Sequence, residues 1–503
     1  MASLKKLAGQ TLWYGLSNIG ARFLNYILTP IVTYLLHSKT QQADYGDYSV
    51  LMSAIAVMNV VYTYGMETAY FRFSVNNPDR TSLFQTTFSS LLVSTLLLSG
   101  TLVFFRNDLQ GLLGLNGHPE YITWCVMIIA IDTMAAIPFA RLRQEERPRK
   151  YAFTKVAGIF VNIALTLFFI YYSPNYVSGH PGSAYAKWYV QHNNTGFLLL
   201  ANLVQTIITF LLLWQEWKVF TFRFDKALWR KIMVYSAPMV IVGLGGMVNE
   251  TMDRFMLRKL SGLPDEAAKI AVAVYASNYK LAIFITLFIQ AFKMSAEPFF
   301  FSQSADRNAA KTYARVMKWF VITLCLAFLF TALYLDVWQY FEGPQYRSGL
   351  GVVPILLAAN VALGIYYNLS VWYKITDRMY IGMFITLVGA VVTLAVNIAF
   401  IPRFGMYACA WATFAAYATM MVISYLLGQR YFPVPYARKK LLSYIGVMLC
   451  LFFAQKLVMY CTDIVAIRLV SGSVLMLLFL VLVYNAEKKE LSDMPFIGRF
   501  ISS

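Results

Sequence analysis

The stretch SLFQTTFSSLLVSTLLLSGTLVFF, residues 82–105, contains 24 consecutive residues without a charged side chain. A hydrocarbon layer of ~30 Å is crossed by about 20 residues of α-helix. Inside a bilayer the backbone must satisfy its own hydrogen bonds, and a run of this length does so as a helix rather than as a barrel strand. The stretch therefore predicts one transmembrane helix.

Similar apolar runs fill the rest of the chain. The 503 residues are 59% hydrophobic and 13% charged, with a mean hydropathy of +0.57, whereas an ordinary soluble domain is roughly 25% charged. We expect an all-α polytopic membrane protein with about 14 transmembrane helices. The predicted spans are 10–36, 46–71, 82–105, 120–140, 151–172, 196–215, 231–257, 271–298, 314–335, 350–372, 380–401, 406–428, 441–460 and 465–484.

The basic residues predict how these helices are oriented. With the amino terminus in the cytoplasm and the spans alternating, only eight of the 42 Lys and Arg residues fall in outer connections. Lys and Arg accumulate in cytoplasmic loops of membrane proteins. The net charge of +18 is therefore interpreted as a topology signal, not as affinity for nucleic acid, and both termini are predicted to be cytoplasmic.

Several classes of function are disfavoured by missing motifs. The five cysteines lie in or beside apolar runs without CxxC spacing, and the four histidines are far apart in outer connections, so no metal site or cofactor is expected. The sequence contains no GxxxxGK[ST] loop for nucleotide phosphates, and the outer connections are too short to hold a domain of their own. We therefore predict a transporter rather than an enzyme.

An internal repeat predicts the domain organisation. The segment that begins YGDYSV at Tyr45 aligns with the one that begins YASNYK at Tyr275, at a shift of 230. At a shift of 235, Arg143 and Arg378 each precede an Asn-Ile-Ala triplet by nineteen residues. Duplicated halves are common in transporters, so two parallel six-helix bundles are predicted. The predicted divisions are 1–215 for the first bundle, 216–230 for a cytoplasmic linker, 231–428 for the second bundle, and 429–503 for helices 13 and 14 and a cytoplasmic tail.

Four segments carry a resemblance to a known family: YGDYS at 45–49, NETMDRFMLRKLSG at 249–262, KITDRMYIG at 374–382 and NIAFIPRFGMYACAWAT at 397–413. In these the chain resembles the MOP exporter superfamily, in the polysaccharide-transporter branch that includes O-antigen and capsule repeat-unit flippases. The resemblance implies two bundles arranged in a V, alternating access, and an undecaprenyl-pyrophosphate type of lipid-linked oligosaccharide as cargo. It also implies the bacterial inner membrane, a role in lipopolysaccharide biosynthesis, and membrane lipids and polysaccharide-assembly membrane proteins as partners.

Polar residues on the first predicted helix form one candidate substrate surface. Asn18, Arg22 and Asn25 are spaced by four and three residues, which places them on one helical face. A charge near the centre of a membrane helix costs at least ~2.5 kcal/mol, so it calls for an explanation. Arg22 either faces a cavity and binds phosphate oxygens or pairs with Asp132 to hold the bundle together. Asp132, in the middle of a predicted span, is alternatively a carboxylate for proton or cation coupling.

Predicted helices 7 and 8 carry further candidates. Arg254 and Lys280 are assigned to the substrate cavity, while Glu250 and Asp253 are candidates for ion coupling. The four-residue spacing of Glu250 and Arg254 also fits an ion pair within one helix, in which case the two charges neutralise each other.

Equivalent helices of the two predicted repeats suggest an inner gate. Glu67 and Arg72 end predicted helix 2, and Lys293 and Glu297 occupy the matching end of predicted helix 8. These four residues either form ion pairs that break during transport or contact lipid headgroups at the interface.

Taken with the resemblance, these charges predict a flippase for a lipid-linked oligosaccharide. The alternatives are a lipid II flippase and a cation-coupled multidrug antiporter of the same superfamily, and a membrane glycosyltransferase or polymerase is less favoured. An antiporter for organic cations is expected to line its cavity with carboxylates, whereas the most central charge of this sequence is Arg22.

Overall fold

The computed structural model describes residues 20, 24, 26–76, 79–115, 117–145, 147–303 and 308–492, and this part of the chain is helical with no β-strand. The longer helices are α1 (Tyr26–Leu35), α2 (Lys39–Thr63), α3 (Met66–Asn76), α4 (Arg80–Phe104), α5 (Arg106–Leu113), α6 (Pro119–Gln144), α7 (Pro148–Gly179), α8 (Ala184–Val190), α9 (Asn194–Leu212), α10 (Lys226–Leu260), α11 (Asp265–Gln303), α12 (Ala309–Ala332), α13 (Val353–Leu369), α14 (Met379–Phe404), α15 (Met406–Tyr431), α16 (Arg438–Cys461) and α17 (Val465–Ser492).

Short polar side chains mark several helix starts. Ser38 caps α2 by accepting a hydrogen bond from the Gln41 amide at 3.3 Å, while the Gln41 side chain accepts one from the Ser38 amide at 3.1 Å. Asp79 accepts from the Ser82 amide at 2.9 Å before α4, and Asp225 caps α10 in the same way. Such caps satisfy amides that lack a partner within the helix, so they fix where each helix begins.

The apolar runs predict the membrane helices closely. Within the described residues, 12 helices are long and apolar enough to cross a membrane, or up to 13 when a bent pair counts as one span. The run at 82–105 becomes α4, which covers Arg80–Phe104. Of the predicted span 10–36, most lies outside the described residues, and the described remainder includes the apolar helix α1. The all-α, polytopic membrane fold is confirmed.

Predicted helix 2 forms two helices rather than one continuous helix, although the bent pair together is long and apolar enough to count as one span. Tyr64 and Gly65 adopt left-handed backbone conformations, with φ of 33° and 72°, and they separate α2 from α3 with a bend of 40°. A Cβ added to Gly65 would lie 3.0 Å from the Cβ of Met239 on α10. Close packing on α10 and a positive φ both favour glycine at this position, and the resulting break redirects α3.

Contacts between residues divide the chain into two compact units. Unit 1 comprises 1–277, 342–349 and 380–416, and unit 2 comprises 278–341, 350–379 and 417–503. The core of unit 1 includes a cluster around Tyr121 and Ile129, and that of unit 2 includes one around Phe300 and Tyr313. The predicted division into bundles at 1–215 and 231–428 remains a prediction.

The last two helices of unit 2 expose apolar side chains. Leu457 on α16 is 65% exposed, and Val474 and Leu477 on α17 are 58% and 60% exposed. Contiguous apolar surface of this kind is uncommon on soluble monomers and marks contact with protein or membrane. In a bilayer these side chains are covered by lipid acyl chains.

Candidate functional site

Unit 1 contains a polar cavity of about 500 Å³ between α2, α3, α6, α7 and α9. Phe139 and Ile159 contribute apolar parts of its wall. Most of its polar surface comes from polar side chains on these five helices. These are Asn59, Thr63, Glu67, Asp132, Arg143, Lys155, Gln205 and Thr209.

One ion pair at this cavity joins α3 to α6. The guanidinium of Arg143 contacts the carboxylate of Glu67 and lies 4.6 Å from the centre of the Phe71 ring. The side chains of Arg143 and Glu67 are 30% and 43% exposed. Exposed ion pairs contribute only about 0–1 kcal/mol to stability, so this pair can exchange partners at little energetic cost.

A second set of charges joins α6 to α7. Asp132 accepts a hydrogen bond from Thr206 and interacts electrostatically with Lys155, whose ammonium lies 4.3 Å from the centre of the Phe139 ring. Lys155 is thus a cationic neighbour of Asp132, and it was not among the candidates predicted from the sequence although it lies inside predicted span 151–172. Three candidates on the first predicted helix lie outside the described residues: Asn18, Arg22 and Asn25.

Neutral polar groups complete the cavity wall. Gln205 on α9 accepts a hydrogen bond from the Asn162 amide on α7 at 2.8 Å. At Gly158, a Cβ would lie 2.5 Å from the Thr209 hydroxyl, so glycine allows α7 and α9 to approach closely. The cavity therefore offers two cations, two carboxylates and several hydrogen-bonding groups to a ligand.

A different ion cluster lies in unit 1 at the predicted outer end of α2, α10 and α11. Asp47 is held by Arg258, and Lys269 lies 3.3 Å from its second carboxylate oxygen. Arg258 also donates to the carbonyl of Gly114 at 3.0 Å, and Lys269 contacts Asp265 at 2.9 Å. The side chains of Asp47 and Arg258 are only 8% and 4% exposed. This buried cluster connects segments that are distant in sequence.

The backbone beside this cluster is also closely packed. A Cβ on Gly46 would lie 2.1 Å from the carbonyl oxygen of Lys269, and Asp44 accepts from the amide side chain of Asn194 at 2.8 Å. In the sequence, the YGDYS segment appears only as a repeat and family motif. The overlooked signal is the acidic pair formed by Asp44, just before predicted span 46–71, and Asp47, at its start.

Most of the helix 7 and 8 candidates lie in different surroundings. Asp253 is buried and accepts a hydrogen bond from the Tyr275 hydroxyl at 2.5 Å. Arg254 donates to the backbone carbonyl of Glu250 at 3.1 Å and lies 3.7 Å from Asp253. Lys280 is partly buried on α11 in unit 2. The structure thus records Arg254 against the main chain of Glu250, and the roles assigned to these residues remain predictions.

The four predicted gate residues have the following neighbours. Glu67 lies at the cavity described above, and Arg72 lies 4.2 Å from the centre of the Tyr235 ring. In unit 2, Lys293 lies 4.9 Å from the centre of the Tyr367 ring. The side chain of Glu297 lies outside the described residues. The gate hypothesis remains untested.

The sequence matches a family model described as polysaccharide biosynthesis protein over residues 7–304. This match spans more than half of the chain and includes every charged residue of the cavity. The chain belongs to this family. No curated protein sequence matches the chain significantly.

Solved structures of the MOP superfamily share the fold of this chain. The lipid II flippase MurJ in an inward closed conformation has a TM-score of 0.68 at 13% identity, covering 94% of this chain and 99% of that chain. An inward-facing MATE multidrug transporter has a TM-score of 0.57 at 14% identity, covering 84% and 94%. A MOP transporter from Pyrococcus furiosus has a TM-score of 0.54 at 14% identity, covering 84% and 95%. The predicted MOP exporter fold, in its polysaccharide branch, is confirmed.

Proposed function

We propose that this protein is a flippase that moves a lipid-linked oligosaccharide, carried on an undecaprenyl-pyrophosphate type of lipid, across the cytoplasmic membrane by alternating access. The observation that carries the proposal is the cavity of unit 1, where Arg143 from the predicted cytoplasmic end of α6 and Lys155 from a predicted span reach one polar space. Charges inside predicted membrane spans, such as Lys155 and Asp132, are typical of substrate pathways. Two cations in one cavity suit a pyrophosphate group.

Partner exchange explains how the cavity accepts an anion. Without cargo, Glu67 and Asp132 balance Arg143 and Lys155, which keeps the cost of burying the two cations low. Because the Arg143 side chain is 30% exposed, phosphate oxygens can displace Glu67 from it. A guanidinium binds phosphate through two parallel hydrogen bonds, and the ammonium of Lys155 supplies a second contact.

The neutral residues suit the glycan part of the cargo. Asn59, Gln205 and Thr63 present amide and hydroxyl groups to the same space, and such groups hydrogen-bond sugar hydroxyls.

Since no nucleotide-binding motif is present in the sequence, an ion gradient, the membrane potential or substrate supply drives transport. Asp132, beside Lys155, is the candidate carboxylate for coupling to protons or cations.

A transport assay with purified protein tests the proposal. Full-length chain is reconstituted into proteoliposomes with a labelled undecaprenyl-pyrophosphate oligosaccharide, and translocation is followed by enzymatic access to the glycan. Arg143→Gln and Lys155→Gln are expected to reduce the initial rate by about tenfold or more, because each removes a charge-assisted contact worth about 1.5–3 kcal/mol. Arg149→Gln, an exposed arginine at the start of α7, is the matched control and keeps the wild-type rate.

Three results count against the proposal. Equal initial translocation rates in wild type and in both cavity variants would show that the cavity does not bind the cargo. Movement of lipid II but not of the oligosaccharide substrate would assign the protein to lipid II transport. Export of a cationic drug with no movement of either lipid would favour an antiporter.

A further inference from the structure

Unit 2 contains a second polar cavity that the proposed transport route does not use. It has a volume of about 440 Å³ and lies between the first turns of α12 and α16 and the last turns of α17. Its wall includes Lys311, Arg315, Lys318 and Glu490. All three helix ends belong to the predicted cytoplasmic side.

A buried charge network forms the floor of this cavity. Lys318 is buried and contacts Glu487 at 2.5 Å and Glu490 at 2.8 Å. Glu487 also accepts hydrogen bonds from Lys440 at 2.9 Å and from the Tyr444 hydroxyl at 2.6 Å. Both carboxylates are therefore engaged by groups of the protein itself, and the network fixes α12, α16 and α17 against one another.

The rim of the cavity is strongly basic. Lys311 is exposed, and the Arg315 side chain is 63% exposed at 3.7 Å from Glu490. Beyond the lining residue Ala437, the first turn of α16 carries Arg438, Lys439 and Lys440. The three cations of the cavity wall, Lys311, Arg315 and Lys318, outnumber the carboxylates Glu487 and Glu490, so an anion is attracted to this cavity.

The start of α16 adds a backbone contribution. Its N-cap residue is Ala437, which lines the cavity and has no side-chain acceptor for the first amides of the helix. Helix N-termini carry a partial positive charge and bind phosphate through free amides. The N-terminus of α16 therefore adds to the attraction that the basic side chains exert on an anion.

Apolar side chains are exposed on α16 and α17, the helices whose ends meet at the cavity. Leu442, one turn along α16 from Arg438, is 69% exposed, and Leu480 and Val481 on α17 are 42% and 52% exposed. A free phosphate ion does not use such a surface, whereas the acyl chains of a lipid do. Basic pockets between membrane helices on the cytoplasmic side bind anionic lipid headgroups.

We infer that the unit 2 cavity lined by Lys311, Arg315 and Lys318 is a binding site for the phosphate headgroup of an anionic phospholipid, whose chains lie along α16 and α17. The site is separate from the cavity proposed for cargo. It holds a lipid of the surrounding membrane and does not depend on what the protein transports.

Native mass spectrometry of the purified full-length chain tests this site with phosphatidylglycerol, with phosphatidylcholine and with inorganic phosphate. Wild type is expected to retain phosphatidylglycerol in preference to phosphatidylcholine. Lys311→Gln combined with Arg315→Gln is expected to weaken phosphatidylglycerol binding by about tenfold or more, because two cations near the headgroup are lost. Both replaced side chains are exposed, and an unchanged melting temperature without anionic lipid verifies that the variant folds.

The control is a pair of exposed arginines elsewhere on the predicted cytoplasmic side, Arg223→Gln with Arg230→Gln, which keeps wild-type binding. Equal loss of binding in this control would show a non-specific charge effect and overturn the inference. Undiminished lipid binding in the cavity variant would overturn it as well. Inorganic phosphate that stabilises the protein as strongly as the lipid would exclude a lipid site, and preferential retention of a polyprenyl pyrophosphate would assign the site to cargo.

Discussion

Two charge clusters in unit 1 use the same residue types in different surroundings. At the cavity, Glu67 and Arg143 are 43% and 30% exposed, whereas Asp47 and Arg258 in the outer cluster are 8% and 4% exposed. An exposed pair contributes little to stability and exchanges easily. A buried pair is costly to break, because one partner is left as an uncompensated charge. Burial, rather than residue type, therefore separates a pair that holds helices together from one that can bind a ligand.

The largest expected loss of stability comes from breaking the buried cluster of Asp47, Arg258 and Lys269. Arg258→Gln leaves Asp47 with Lys269 alone, and we expect a loss of about 3–5 kcal/mol in the free energy of unfolding. The measurement is the unfolding of purified protein by a denaturing detergent. Adding Asp47→Asn to this variant is expected to restore part of the stability, since the buried anion is then gone. If Arg258→Gln alone were as stable as wild type, the buried pair would not be costly to break.

A change in packing beside the same cluster is expected to cause the next largest loss of stability. In Gly46→Ala the new methyl group meets the carbonyl of Lys269 at 2.1 Å, so α2 and α11 must separate, at a cost of about 1–3 kcal/mol. Gly100→Ala on α4 is the control, because a Cβ there has no neighbour within 4 Å. Thermal unfolding in detergent compares the two. Equal melting temperatures would mean that the outer end of unit 1 is looser than the structure implies.

The smallest loss of stability is expected from a substitution at the cavity. Glu67→Gln removes the carboxylate partner of Arg143, and because the pair is partly exposed the free energy of unfolding should change by less than about 1 kcal/mol. The same change leaves Arg143 more available to an anion, so binding of a pyrophosphate-bearing lipid should not weaken. Binding is measured with purified protein. A destabilisation as large as that of Arg258→Gln would remove the distinction between the two clusters.

The membrane helices were predictable because the bilayer imposes a length and a polarity on each span. The run at 82–105 and the helix Arg80–Phe104 agree within two residues at each end. The break at Tyr64 and Gly65 was not predictable in this way. It depends on contact with Met239, which is far away in sequence, and hydropathy carries no information about such contacts.

The site was predictable only in part. Asp132 stood out because carboxylates are rare at membrane depth, and Glu67 stood out as a charge at the end of predicted helix 2. Their neighbours Arg143 and Lys155 did not, since helical periodicity identifies the face of a residue but not the helix that this face meets. Asp47 was overlooked because it lies within a repeat motif, and its partner Arg258 follows 211 residues later.

The break between α2 and α3 has a consequence for the solvent inside the membrane. A helix that ends leaves its last carbonyl groups without amide donors, and in hydrocarbon such groups cannot remain unsatisfied. At this end of α2 the carbonyl of Asn59 accepts from the Thr63 hydroxyl and that of Val60 from the Tyr64 amide. Because Asn59 and Thr63 line the cavity, water that enters it can hydrate the carbonyl groups that follow. A hydrated recess raises the local dielectric constant, and charges held there change partners far more readily than charges in a dry interior.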